Sequence, residues 1–142
     1  MTDYLWKLSI LIFPPRRNIK TMPDFLSFRP VQGEFDVAQV NDYLAGLGYS
    51  LRDPIRQDIT IVASTLEGRE YALALRSRNP PANLPYLLLV SVKPEQITVD
   101  QLTGKEELEL ARKFVGWLTE NYNCHVRDDY DHDLTENYRR RE

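Results

Sequence analysis

Apolar and polar residues alternate between positions 58 and 92 in a pattern that predicts three consecutive strands. The first strand starts near Ile59, and a tight turn at Glu67-Gly68 leads into the second strand, which covers residues 71–75. Residues 86–92 are almost continuously apolar, as is typical of a central strand covered on both faces. The block therefore predicts an antiparallel sheet.

Two amphipathic helices flank this block. Asp36 is the predicted N-cap of the first helix, Gln39 occupies the second position of a capping box, and Gly48 is the predicted stop. The second helix covers residues 105–122, where apolar side chains recur three and four positions apart. Their spacing predicts a face that packs on the sheet, because a coiled coil requires more heptads than this segment contains.

Shorter segments complete the prediction. Residues 25–28 and 124–126 are expected to be short strands, 49–57 a polar linker, and 98–102 a single helical turn. This order predicts an α+β fold: a single two-layer domain with a mainly antiparallel sheet of four to six strands and two principal helices packed on one face. The globular domain is expected to cover residues 22–127, followed by a polar C-terminal tail, 128–142, that is too polar to be buried.

The first 21 residues differ from the rest of the chain in charge and pattern. They contain four basic residues against one acidic residue, and their apolar side chains recur with period two. Their apolar run is too short to span a bilayer, and three of the four basic residues follow it, unlike those of a signal peptide. Three interpretations stay open: a strand, an exposed arm that docks on a partner, or a segment outside the native protein.

Composition narrows the classes of function. The 142 residues carry a formal net charge of −3, which disfavours the broad basic surface that nucleic-acid binding requires. The single cysteine, Cys124, has no partner for an internal disulfide, so a reducing, cytoplasmic location is expected. The sequence predicts no membrane partner and no nucleic-acid partner, and a homodimer is a further alternative.

The segment after position 123 contains every metal-binding type of side chain. Asp129, Asp131 and Asp133 fit the first three ligand positions of a calcium loop, but Leu134 stands where such a loop needs glycine and Arg140 where it needs glutamate. A zinc site would use Cys124, His125 and His132, whose spacing does not match paired ligands. The prediction is therefore no metal and no cofactor, with an acidic docking patch formed by Asp128, Asp129, Asp131 and Asp133.

Catalytic motifs are missing from the sequence. Cys124 and His125 are neighbours on a predicted strand, so their side chains point to opposite faces and do not form a nucleophile–base pair. The six glycines are scattered and form no phosphate-binding loop. An enzyme is less expected than a binding protein, and a small enzyme or ligand binder with a site near His125 is the alternative.

A proline-rich loop supplies the second predicted contact surface. Arg76 and Arg78 precede Pro80 and Pro81, so two cations stand beside a stiff backbone that loses little entropy on docking. The sequence therefore predicts a non-enzymatic protein-binding module with an immunity-type, chaperone-like or regulatory role. The element order is similar, in architecture alone, to small acidic binding proteins such as secretion chaperones and toxin-immunity proteins.

Overall fold

The computed structural model describes residue 23 and residues 25–53, 55–76, 88–101 and 105–138, without the side chains of residues 75, 76, 101 and 105–107. The predicted N-terminal strand or arm, 1–21, and the loop that follows Arg76 lie outside these residues. In chain order the elements are β1 Phe25–Pro30, α1 Val37–Ala45, β2 Tyr49–Arg52, β3 Ile59–Ala63, α2 Leu66–Arg76, β4 Leu88–Val92, β5 Ile97–Gln101, α3 Lys105–Asn121, β6 Cys124–Asp128 and α4 Thr135–Tyr138.

The strands form one six-stranded sheet in the order β2-β3-β4-β5-β1-β6. Every neighbouring pair is antiparallel, which confirms the predicted α+β class and its mainly antiparallel sheet. The first strand in sequence, β1, lies between β5 and β6, so residues distant in the chain complete the sheet. The two edges of the sheet are β2 and β6.

The main core lies between one face of the sheet and the two helices α1 and α3. Alternate strand residues such as Leu26, Phe28 and Val90 point into it, as the period-two geometry of a strand requires. Phe114 and Leu118 of α3 are fully buried there, at the spacing that the sequence predicted. Two principal helices therefore share one face, as expected.

An aromatic contact and a bridging phenol join α1 to α3. The rings of Tyr43 and Trp117 stack with centroids 4.4 Å apart. The predicted cap is present, since Asp36 accepts a hydrogen bond from the backbone N–H of Gln39 at 3.2 Å. The hydroxyl of Tyr122 lies between the Asp36 N–H and the Gln39 side chain, which a capping box would join directly. It accepts a hydrogen bond from the Asp36 N–H at 3.1 Å and donates one to Gln39 Oε1 at 2.5 Å.

The prediction of a strand over residues 71–75 is wrong, because Leu66–Arg76 is the helix α2. Thr65 caps it, since its hydroxyl oxygen accepts a hydrogen bond from the Gly68 N–H at 3.0 Å. Tyr71 and Ala72 are buried against Ile61 on the face of the sheet opposite the main core. The predicted Glu67-Gly68 turn is therefore the first turn of a helix that covers the β2–β3 part of this face.

Two further expectations are corrected. Residues 49–52 of the predicted polar linker form β2, and residues 97–101 form β5 instead of a helical turn. Ile97 and Val99 alternate with the less buried Thr98, which is a strand pattern. A two-residue hairpin turn joins β4 to β5, because Lys93 and Gln96 exchange both backbone hydrogen bonds at 3.0 and 3.3 Å.

The segment after β6 also contributes to the core. Tyr138 of α4 is only 2% exposed and packs in the main core beside the partly buried Leu134. The expectation that everything after position 127 is too polar to be buried is therefore wrong for this tyrosine. The return of the chain to the core determines the geometry of the intervening turn.

Candidate functional site

The turn between β6 and α4 holds most of the residues that the sequence proposed for function. On β6, Cys124 and Val126 are buried in the main core, while His125 and Arg127 are exposed on the opposite face of the sheet. Burial raises the pKa of the Cys124 thiol to about 12, which leaves it protonated and poorly nucleophilic at neutral pH. The structure therefore places Cys124 and His125 on opposite faces, as the strand geometry predicted.

Asp128 organises this turn. Its Oδ1 accepts hydrogen bonds from the backbone N–H groups of Tyr130 and His132 at 3.0 and 2.8 Å, and its Oδ2 lies 3.0 Å from His132 Nδ1. Burial alone would raise the pKa of Asp128, but the hydrogen bonds from His132 and Tyr130 outweigh it and hold that pKa below its ordinary value. The charged carboxylate therefore stabilises the turn.

Asp133 fixes the other end of the turn. Its Oδ1 accepts hydrogen bonds from the hydroxyl of Thr135 at 2.7 Å and from the Thr135 N–H at 3.0 Å. The hydroxyl contact is the largest of the effects that lower the pKa of Asp133. Thr135 Oγ1 in turn accepts the backbone N–H of Val126 at 3.0 Å, so Asp133 positions a side chain that bonds to β6.

The chain from position 132 to position 135, here called the return segment, covers the outer edge of β6. Asp128 N–H donates to the His132 carbonyl at 3.2 Å, and Leu134 N–H donates to the Val126 carbonyl at 2.7 Å. Together with the bond to Thr135, these contacts satisfy the outward N–H and C=O of Val126 and the outward N–H of Asp128, which an edge strand would otherwise leave open. Asp128 and Asp133 thus stabilise the fold, a role that the sequence did not indicate.

The tip of the turn presents an aromatic side chain and its two acidic neighbours to solvent. Tyr130 is 78% exposed, and Asp129 and Asp131 beside it are also exposed. Asp131 has a positive φ of 65°, and its carbonyl and carboxylate accept hydrogen bonds from Arg127 at 3.0 and 3.4 Å. The ring of Tyr130 lies 6.1 Å from that of His132. These contacts give the exposed side chains a defined backbone.

The other predicted site residues are not brought to this turn. Arg76 is the last residue of α2, which packs against β2 and β3, whereas the turn follows β6 at the other edge of the sheet. The side chain of Arg76 and all of Arg78 lie outside the described part of the chain. Within the described ranges, no three His, Cys, Asp or Glu side chains form a group that could hold a metal ion.

A depression of about 320 Å³ lies on the face of the sheet opposite the main core, beyond the area that α2 covers. Asp58 beside it accepts a hydrogen bond from the Ser91 hydroxyl at 2.8 Å, which is the main reason why the pKa of Asp58 is lowered. Sequence reasoning missed this feature, although polar residues alternate with buried ones along β4 and β5. Its lining residues are Phe25, Arg56, Ile59, Leu89, Ser91, Lys93, Gln96, Thr98 and Asp100.

Comparisons with family models, curated proteins and solved structures gave no match to this chain. Among the helices of the described ranges, none combines the length and apolar character needed to cross a membrane.

Proposed function

We propose that this chain is a non-enzymatic protein-binding module of immunity, chaperone or regulatory type, and that the β6–α4 turn contacts the partner. The observation that carries the proposal is Tyr130, a 78% exposed aromatic side chain on a turn whose backbone is fixed by Asp128 and Asp133. Large exposed aromatic side chains on rigid supports are frequent energetic centres of protein interfaces.

The rigidity of the turn lowers the cost of binding. Asp128 and the return segment already restrict the backbone around Tyr130, so little main-chain entropy is lost when a partner docks. A tyrosine also has only two side-chain torsions to immobilise, while it offers a large apolar ring and a polar hydroxyl. The turn is therefore suited to insert the phenol of Tyr130 into a pocket of the partner.

Charge determines the kind of partner that fits. Asp129 and Asp131 flank Tyr130, and Arg127 contacts only one of them, so the outer surface of the turn is acidic. The complementary surface is a pocket for an aromatic ring with lysine or arginine side chains at its rim. Rim charges of this kind act mainly on the association rate and on its dependence on salt.

Site-specific photo-crosslinking in an extract of the native host tests the proposal. A photo-reactive phenylalanine analogue at position 130 is expected to capture one defined protein, and the same group at Val31 is the matched control because Val31 is 53% exposed and follows β1, away from the turn. With the captured protein purified, Tyr130→Ala is expected to weaken binding by about tenfold or more. Equal capture from both positions, or unchanged affinity of Tyr130→Ala, would refute the assignment of the turn.

The depression on the face of the sheet opposite the main core favours a second function, the binding of a small molecule with an anionic group. The two cationic residues of the lining, Arg56 and Lys93, outnumber its one acidic residue, Asp100, and Phe25 and Leu89 supply an apolar wall. His125 does not line this depression, so the ligand-binding alternative moves from His125 to the β4–β5 surface. A thermal-shift series with small carboxylates and organic phosphates, repeated on Lys93→Ala, tests it: a stabilisation that the variant loses supports it, and none in the wild type opposes it.

A further inference from the structure

The outer side of β2 has backbone groups that no described residue satisfies. The N–H of Asp53 donates to the carbonyl of Ile59 at 2.9 Å, which fixes the phase of the β2–β3 ladder. Because bonded pairs alternate in an antiparallel ladder, Tyr49 and Leu51 bond to β3, and the N–H and C=O of Ser50 and Arg52 point away from the sheet. Unlike β6, this edge has no return segment beside it among the described residues.

Exposed apolar side chains also occur on the unit that contains this edge. Of the five large hydrophobic residues exposed in the described ranges, three belong to the unit formed by β2, β3 and α2. They are Tyr49 in β2, Ile55 in the β2–β3 connection and Leu66 at the start of α2, with exposures of 44%, 75% and 56%. An open strand edge with apolar side chains nearby is a ready template for pairing with another strand.

We propose that β2 pairs antiparallel with β2 of a second copy of this chain, which joins two six-stranded sheets into one continuous sheet. A two-fold symmetric contact requires that the strand be complementary to itself. The register centred on Leu51 meets this requirement, because it pairs Ser50 with Arg52 of the second copy and Arg52 with Ser50. All of the outward N–H and C=O groups of Ser50 and Arg52 are then used.

The side chains of β2 also favour this register. Leu51 lies opposite Leu51 of the second copy on the side of the sheet that α2 covers, where an apolar pair is stabilising. Tyr49 lies opposite Asp53 of the second copy; Oδ1 of that carboxylate accepts the N–H groups of Ile55 and Arg56, which leaves Oδ2 for the Tyr49 hydroxyl. Centring the contact on Arg52 would instead place two like charges face to face, which is destabilising. The Leu51-centred register is therefore preferred over the Arg52-centred one.

Charge substitutions at Ser50 test the contact, with sedimentation velocity of the full chain over a wide concentration range as the measurement. The wild type is expected to show a monomer–dimer equilibrium. Ser50→Arg places a cation opposite Arg52 twice in the symmetric contact, so we expect the dimer dissociation constant to rise by about tenfold. The double variant Ser50→Arg with Arg52→Glu restores opposite charges and is expected to return to within about threefold of the wild type.

Ser50→Glu is the matched control, since it introduces a charge of similar size at the same position and is expected to tighten the dimer. Circular dichroism of each variant verifies the fold. A strictly monomeric wild type would overturn the proposal, as would a dimer whose dissociation constant is unchanged by Ser50→Arg.

Hydrogen exchange adds a second measurement. The Ser50 and Arg52 amides should become more protected as the protein concentration rises, and protection already present in the monomer would mean that another segment pairs there. Tyr130→Ala should leave the dimer intact, so this test is independent of the proposed partner-binding turn.

Discussion

At the β6 edge of the sheet the chain folds back and bonds to its own last strand, whereas at the β2 edge the outward backbone groups of Ser50 and Arg52 have no described partner. The closed edge uses Asp128, Asp133 and Thr135 to hold the return segment in place. The open edge instead carries Tyr49, an aromatic side chain that is 44% exposed. The difference shows that acidic residues resembling a binding site can serve first to protect a strand, and that the unprotected strand is the better place to look for self-association.

The largest expected effect comes from the anchor of the closed edge. Tyr138→Ala removes an aromatic side chain that is 2% exposed, and we expect it to lower the free energy of unfolding by about 3–5 kcal/mol. Tyr49→Ala at the open edge is the matched substitution of a tyrosine that is 44% exposed, and a loss below about 1 kcal/mol is expected for it. Urea unfolding of both variants measures the difference. Equal losses would mean that the return segment is not held by the core.

The attachment of the open edge is expected to give the next largest effect. Gly48 precedes β2, and a Cβ built on it would lie 2.6 Å from the carbonyl oxygen of Ala63 in β3. Gly48→Ala is therefore expected to destabilise the protein by about 1–3 kcal/mol, because backbone must move to relieve the clash. Gly46→Ala is the control, since its nearest contact is an ordinary 3.5 Å. Chemical denaturation should rank Gly48→Ala well below Gly46→Ala in stability.

A smaller loss is expected when the closing hydrogen bond is removed. Thr135→Val keeps the shape of the side chain but deletes the hydroxyl that accepts from Val126 N–H and donates to Asp133. We expect a cost of about 1–2 kcal/mol, because a half-buried N–H of β6 loses its partner. Thr98→Val, on the face of the sheet opposite the main core, is the matched control and should change stability by about 0.5 kcal/mol or less. Faster exchange of the Val126 amide in Thr135→Val alone would locate the effect at the edge.

The pH dependence of the closed edge is the most delicate test. The pKa of Asp128 is lower in the folded protein than the value of about 3.9 for an unfolded chain, so its contribution is present above about pH 4 and is lost as the pH falls through the folded value. Stability measured by urea unfolding between pH 7 and pH 2 should therefore fall less steeply in Asp128→Asn than in the wild type. Asp129→Asn is the control and should follow the wild-type curve.

Parts of the fold that depend on local signals were predictable from the sequence. The Asp36 cap and the apolar stripe of residues 105–122 led to α1 and α3, because capping and helical periodicity act within one element. The strand predicted at residues 71–75 was wrong, since alternating apolar residues fit a strand as well as the buried face of a helix. Thr65 three residues before Gly68 was the overlooked cap signal for α2.

The functional surfaces were less predictable for a physical reason. Asp128, Asp129, Asp131 and Asp133 were recognised as a group, but which of them hold the turn through hydrogen bonds depends on how the chain turns back on β6. The open edge at β2 could not be predicted from the sequence, because the order of strands is set by contacts between distant residues. The depression, likewise, forms only when β4 and β5 lie side by side.

The position of Tyr130 relative to β2 has a consequence for avidity. The two lie at opposite ends of a six-stranded sheet, so joining two copies through β2 places the two tyrosines at the far ends of a twelve-stranded span of about 50 Å, at about 4.8 Å per strand. Such a dimer would be bivalent for the proposed partner. It would bind an oligomeric or repetitive target through both turns at once, and the sheet would act as the rigid spacer that sets the distance between the two binding sites.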